Sequence, residues 1–422
     1  MSGAVPVADT ADAGVARTPD GVLQVIWPRQ SGRSGAVIHG SLSRDARRLA
    51  RPRQIASYDG GLNDSTALVA VPGGVRAFFA GLQAGSPLDR VVATASFFGG
   101  GWSEPAPASN PASGRSPFAA AGLGAGARAD GTAISVWGSP GPGFHFGLDP
   151  QGTDGSFTAG GASDPGVGVD SVTGQSVVAW NVVDTGAVAA LPVAPIGPRS
   201  IAPGPRVAEA QHRVGVTGRI GASGVYVAYL SGGNQFRARP AVWRFGDPGA
   251  TVVSRTIGAR AVSVAAAPGG RLWVFWQRDG RLYATRSDPA AARFGPLVSL
   301  GPPPGARAVH DLAGEGSRGP LDLLALAGRR RTGAGIWHRR VLPRLELAVV
   351  RNRRGGLTLR VTDAGLAVAG ARIRIAGVAA RPGARRRTSL RGTARFRIAR
   401  GRYRATAAKR GYAPASLPVR VR

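Results

Sequence analysis

Ala261-Val262-Ser263-Val264-Ala265-Ala266-Ala267-Pro268-Gly269-Gly270-Arg271-Leu272-Trp273-Val274-Phe275-Trp276 is the stretch that decides the fold. An apolar run, a Pro-Gly-Gly turn and a second β-rich run closing on tryptophan spell two antiparallel strands. Gly280 to Ser287 reads as a third strand and Phe294 to Leu300 as an outer fourth. The apolar positions are nearly continuous rather than alternating, as expected of strands covered on both faces.

The same unit recurs along the chain. Asp20-Gly21 leads to Val25-Ile26-Trp27, Gly73-Gly74 to Phe78-Phe79, and Asp130-Gly131 to Val136-Trp137. Thr173-Gly174 leads to Val178-Ala179-Trp180, Ser223-Gly224 to Val227-Ala228-Tyr229, and Gly319 to Leu324-Ala325-Leu326. The turn glycines stand about 50 residues apart, the size of one four-stranded propeller blade. The expectation is an all-β fold, a β-propeller over residues 1–342, with seven blades fitting best and six or eight as alternatives. Trp27, Trp137, Trp180 and Trp276 hold equivalent places in the repeat, so they are expected to pack between blades.

Leu342-Pro343 marks a boundary, and residues 343–422 form a second expected unit. Strict alternation begins there: Leu357, Leu359 and Val361 share a face, as do Ala371, Ile373 and Ile375, then Ala394, Phe396 and Ile398. Tyr403, Ala405 and Ala407 follow, then Leu417, Val419 and Val421. Period-2 strands with Gly-marked turns over about eighty residues suit a small Ig-like β-sandwich.

Two resemblances follow from these residues. The repeat resembles the sialidase-like, BNR-type propellers of secreted bacterial proteins, with fragments of the Asp box at Ser287-Asp288-Pro289 and Gly99-Gly100-Gly101-Trp102-Ser103. It carries no Phe-Arg-Ile-Pro segment and no arginine triad, so the resemblance does not extend to sialidase chemistry. The tail is similar to carboxypeptidase-regulatory-like (transthyretin-like) domains at Val361-Thr362-Asp363-Ala364-Gly365, Val368-Ala369-Gly370-Ala371, Gly401-Arg402-Tyr403 and Lys409-Arg410-Gly411-Tyr412. Ser389-Leu390-Arg391-Gly392 departs from that family in lacking an Asp before the glycine. The resemblance implies a non-catalytic accessory module.

Composition narrows the function classes. The chain has 422 residues, a formal charge of +31, a single lysine (Lys409) and no cysteine. Disulfides, Cys-based zinc sites and thiol nucleophiles are excluded. The charge attracts polyanions, while the excess of Ala, Gly, Pro and Arg also fits a GC-rich genome. No apolar run approaches the ~20 residues of a membrane helix, and Met1 to Asp20 shows no signal peptide. An extracellular or cell-surface location is expected from the architecture, with the true start upstream of Met1.

No catalytic motif is legible. The five histidines, His39, His145, His212, His310 and His338, form no metal-ligand spacing, and no Gly-x-Ser-x-Gly elbow or calcium loop is present. No cofactor and no metal are expected. In a propeller the loops leading into the innermost strands meet at the mouth of the central channel. Those positions are Asp64, Arg115, Asp164, His212, Arg260 and His310, and they are the candidate ligand-binding residues. Titratable groups from several blades converging there would suit acidic-sugar binding or general acid–base work, whereas loops at such positions are also polar because they meet water.

From Arg351 onward there are twenty basic residues and one acid, Asp363. Outward-facing Arg372, Arg374, Arg395, Arg397, Arg402 and Arg404 are the candidate polyanion-binding set. The reading is a secreted or surface binding and scaffold protein. Its propeller is a recognition platform, and its basic tail is an accessory module contacting an acidic glycan or cell-wall polymer. The alternatives are a propeller-type glycoside hydrolase or polysaccharide lyase, and a protein partner. Nucleic acid is expected to bind only nonspecifically.

Overall fold

The computed structural model describes residues 2–6, 13–31, 34–45, 48, 50–59, 62–82, 90–108, 122–138, 143–149, 153–158, 162–182, 187–193, 202–206, 213–234, 236–329, 334–353, 356–377 and 384–421. The fold is an all-β propeller followed by two further sheets. β1 (Ser2–Pro6) belongs to the last sheet of the propeller. Sheet I holds β2 (Gly14–Arg17), β3 (Leu23–Ser31), β4 (Ser34–Leu42) and β5 (Arg53–Asp59). Sheet II holds β6 (Leu62–Val71), β7 (Gly74–Leu82) and β8 (Arg90–Phe98), with the short β9 (Gly101–Trp102) and β10 (Ala106–Pro107) on β8. Sheet III is β11 (Leu123–Ala127), β12 (Ala133–Gly138), β13 (Gly143–Asp149) and β14 (Thr153–Thr158). Sheet IV is β15 (Ala162–Val169), β16 (Ser176–Val182), β17 (Ala187–Val193) and β18 (Ala202–Arg206). Sheet V is β19 (Gly215–Gly218), β20 (Val225–Ser231), β21 (Arg239–Arg244) and β22 (Ala250–Val252). Sheet VI is β23 (Ala259–Ala267), β24 (Arg271–Arg278), β25 (Arg281–Arg286) and β26 (Val298–Gly301). Sheet VII is β27 (Ala306–Glu315), β28 (Leu321–Arg329) and β29 (Ala334–Val341), completed by β1 beside β29.

The seven sheets form a closed ring. The first strand of each lies against the first strand of the next, from β2 through β6, β11, β15, β19 and β23 to β27, and β27 meets β2 again. All pairings within the sheets are antiparallel, so every first strand begins at the same end of the ring. The apolar core is therefore distributed between sheets. Trp27 packs with Leu324 and Leu326 across the VII–I junction, Trp137 with Ala67 and Phe78 across II–III, and Trp276 with Tyr226 and Val242 across V–VI. All four repeat tryptophans are buried, as the sequence implied.

Each repeat turn needs a glycine for a backbone reason. Gly21, Gly73, Gly131, Gly174, Gly224, Gly269 and Gly319 all have φ between 69° and 117°, where a side chain is disfavoured. The outer strand of sheet VI is shorter than the sequence implied. It starts at Val298 rather than Phe294, and Phe294 makes only an isolated bridge to Ser287. Pro296, with no N–H and a fixed φ, interrupts the ladder between them.

A buried polar network joins sheets VII and I at the end of the ring where the first strands finish. Arg17, the last residue of β2, donates to Glu315 of β27 (2.6 Å) and to Asp322 of β28, and its third contact is the Gly21 carbonyl at 2.7 Å. His338 Nε2 lies 3.0 Å from the other Asp322 oxygen.

The tail strands are β30 (Glu346–Arg353), β31 (Gly356–Asp363), β32 (Leu366–Ala367), β33 (Arg372–Ala376), β34 (Arg385–Arg387), β35 (Thr393–Phe396), β36 (Gly401–Ala408) and β37 (Ala415–Val421). β31 pairs with β30, β32 and β35; the other sheet runs β34-β33-β36-β37. The alternating apolar residues of both sheets, Leu357, Leu359, Ile373, Ile375, Phe396, Tyr403 and Val419 among them, share one core.

Asp363 fastens these sheets to sheet VI. Its buried carboxylate accepts from Arg286, lies 3.5 Å from Arg271 and receives the Tyr412 hydroxyl at 3.3 Å. The Arg286 guanidinium stands 5.8 Å over the Trp273 ring and 5.5 Å over Tyr412. Arg271 opens β24 and Arg286 closes β25. The attachment is thus at the end of sheet VI opposite the start of β23.

Candidate functional site at the channel mouth

A first strand is held on one side by its own sheet and on the other by the neighbouring first strands. A regular ladder would leave its leading residues fixed in that packing. In four sheets the ladder slips at that end. The register shifts between Leu62 and Thr66 in β6, Ser163 and Gly166 in β15, Ala259 and Ala261 in β23, and Val309 and Asp311 in β27. An extra residue bends the strand and re-aims the side chain at the slip, which is why bulges accompany binding sites.

Four of the six candidate residues fall inside these slips: Asp64, Asp164, Arg260 and His310. Asp64 is described for its backbone only. Asp164 is half-buried with φ at 39°, and its carboxylate stands against Gly122 at the start of sheet III, where a Cβ would come within 2.3 Å of Oδ1. Arg260 and His310 are exposed. The His310 ring lies over Gly328 of β28, where a Cβ would approach Nε2 to 2.9 Å, so that glycine makes room for the imidazole. Arg115 and His212 lie outside the described residues.

Two functional candidates were missed by the sequence reading. Arg213, just ahead of β19, donates to Asp311 of β27 at 3.0 Å. Sheets V and VII are not neighbours in the ring, so this ion pair joins two sheets that have sheet VI between them in ring order. Both groups keep contact with solvent, at 37% and 22% side-chain exposure, so the pair is solvent-screened and able to exchange partners with a ligand. Their only sequence signal is adjacency to His212 and His310. The leading ends of the first strands thus carry cationic donors, Arg213 and Arg260, an imidazole that can donate or accept, and the carboxylates of Asp164 and Asp311. That set can bind hydroxyl-rich or carboxylate-bearing ligands through charge-assisted hydrogen bonds. Among the described residues no group of three or more His, Asp or Glu is placed to hold a metal ion.

The six tail arginines do not form one set. Arg372, Arg374, Arg402 and Arg404 project from β33 and β36, whose alternate residues are buried. Arg395 and Arg397 belong to β35 and its extension on the other sheet.

No protein-family model matches the chain, and no match to a curated protein was found. Among solved structures it is similar to a catalytically inactive virginiamycin B lyase from Staphylococcus aureus with quinupristin, at 10% identity and a TM-score of 0.46, covering 79% of this chain and 97% of that one. It is also similar to the fucose-recognising lectin of Aleuria aurantia, a six-bladed β-propeller, at 12% identity and 0.42, covering 79% and 93%. A third likeness is to the β-propeller domain of the Trilobed protease from Pyrococcus furiosus, at 8% and 0.44, covering 78% and 93%. These likenesses assign no activity to this chain.

Proposed function

We propose that the protein is a secreted or cell-surface binding protein whose propeller, residues 1–342, recognises an acidic saccharide at the channel mouth. Residues 343–422 are then a separate sandwich-type accessory module of the carboxypeptidase-regulatory-like kind. The observation that supports the reading is the repeated slip of the first strands at one end: Asp164, Arg260 and His310 lie in the slips of β15, β23 and β27, and Arg213 pairs with Asp311 at that same end. A net charge of +31 adds long-range attraction for an anionic ligand. Carboxylates and an imidazole at the same mouth also suit a hydrolase or lyase acting on the same sugars.

The test is a melting-temperature screen of the intact chain against neutral and acidic oligosaccharides at moderate salt. A ligand at a hundredfold its dissociation constant stabilises by about 2.7 kcal/mol. The expected result is a shift with acidic sugars that is lost in Arg260→Ala and His310→Ala. Absence of a shift across the panel contradicts the reading, and release of a shortened sugar from the bound ligand converts it to the enzymatic alternative.

A further inference from the structure

We infer that the outer face of the β34-β33-β36-β37 sheet is a docking surface for a linear, carboxylate-bearing acidic polysaccharide. The inference deepens the accessory role proposed for the tail, and it stands or falls independently of the channel mouth.

Directly opposite residues on paired strands share a face, and like charges there repel. On this sheet Arg372 opposes Arg387, Arg374 opposes Arg385, and Arg402 opposes Arg420. With Arg404, seven exposed arginines stand on one face. The companion sheet is also basic, yet its arginines oppose neutral residues: Arg360 faces Ala348 and Thr393, and Arg395 faces Thr358. Arginine-rich composition alone would treat the two sheets alike.

Among the described residues, none of these seven arginines is paired with an acid. Beyond Glu346, whose carboxylate receives the Thr362 hydroxyl, Asp363 is the tail's one acid, and it is consumed by Arg271 and Arg286. The same contact fixes the tail at the end of sheet VI opposite the mouth, so a polymer held there leaves the mouth open.

Spacing and chemistry select the partner. Alternate residues along a strand stand roughly 6.6–6.8 Å apart and strands about 4.8 Å apart, a regular field of planar forks that take carboxylates two bonds at a time. The remaining outward residues are Ala376, Thr406, Ala408, Ser416 and Pro418, with no aromatic among them. Single-stranded nucleic acid would need stacking platforms there, and duplex recognition an element that enters a groove.

The test measures binding of polygalacturonate at 0.15 M salt (about physiological) to the full chain carrying Arg260→Ala and His310→Ala, so that binding at the proposed mouth does not contribute, with dextran and a DNA duplex as further arms. Two double variants remove equal charge: Arg372→Gln with Arg374→Gln on the proposed face, and Arg395→Gln with Arg397→Gln on the companion sheet. The face variant is expected to lose about tenfold or more in affinity, the companion variant about twofold or less, and dextran not to bind. All these side chains are exposed, and matching melting curves confirm that both variants fold. Equal losses in the two variants would reduce the effect to net charge and overturn the inference, as would no binding of polygalacturonate. Tighter binding of the duplex with the same dependence on the face would replace the polysaccharide by nucleic acid.

Discussion

At the scale of single residues, His39 shows what burial does to a titrating group. It sits inside sheet I with Nε2 2.7 Å from Gln24 Oε1, against Phe97 and edge-on to Trp102. Burial, with a smaller push from Arg53, lowers its pKa from 6.5 to about 4. The folded protein therefore resists a proton that the unfolded chain accepts. Stability contributed by the neutral ring is complete above pH 6.5 and is lost as pH falls from there toward about 4. Melting temperature is expected to fall between pH 7 and pH 5, and less steeply in His39→Gln, which keeps a donor for Gln24. Equal slopes would locate the acid sensitivity elsewhere. Gly218 is a second diagnostic residue. A Cβ there would lie 1.7 Å from the Val169 carbonyl oxygen of sheet IV. Gly218→Ala forces the two sheets apart and is expected to cost at least ~1–3 kcal/mol in denaturant unfolding. This glycine stands at a close approach between sheets, a requirement that its local sequence does not announce.

At the scale of elements, the legible features were those set by local chemistry. Repeat glycines with positive φ, buried second-strand tryptophans and the alternating faces of the tail are all written within a few residues of one another. The features that escaped depend on distant partners. β1 pairs with β29 more than 300 residues away, and nothing in Ser2–Pro6 names that edge. Pro296 shortened the outer strand of sheet VI against an otherwise favourable apolar run. At the leading ends of the first strands, Asp164, Arg260 and His310 were readable as polar residues ahead of apolar runs. Arg213 and Asp311 were not, because a contact spanning 98 residues has no local signature. Exposed Arg pairs give the element scale its own prediction. Replacing Arg374, opposite Arg385, by Thr removes a repulsion and adds a β-branched residue. It is expected to stabilise the tail by roughly 0.2–1 kcal/mol at low salt, an advantage that shrinks as salt screens the pair. A melting series over ionic strength checks both parts.

At the scale of the whole molecule, two buried charge networks hold parts together that chain order separates. Arg17 with Glu315, Asp322 and His338 joins the first sheet to the last, and Asp363 with Arg271, Arg286 and Tyr412 joins the tail to sheet VI. Removing one partner from such a network leaves buried charge uncompensated. Asp363→Ala is expected to cost about 3–5 kcal/mol and to split the calorimetric transition, the tail melting apart from the propeller. A single unshifted transition would mean that the attachment contributes little. The ring places its slipped strand ends, Arg213 and Asp311 on one side and the tail attachment on the other. Backbone hydrogen exchange with a saturating acidic oligosaccharide tests that division most directly. Protection is expected at 162–166, 259–261 and 306–311, and none at the opposite-end turns 268–271 and 316–320. Protection confined to those turns or to the outer strands, or no change anywhere in the propeller, would contradict recognition at the channel mouth.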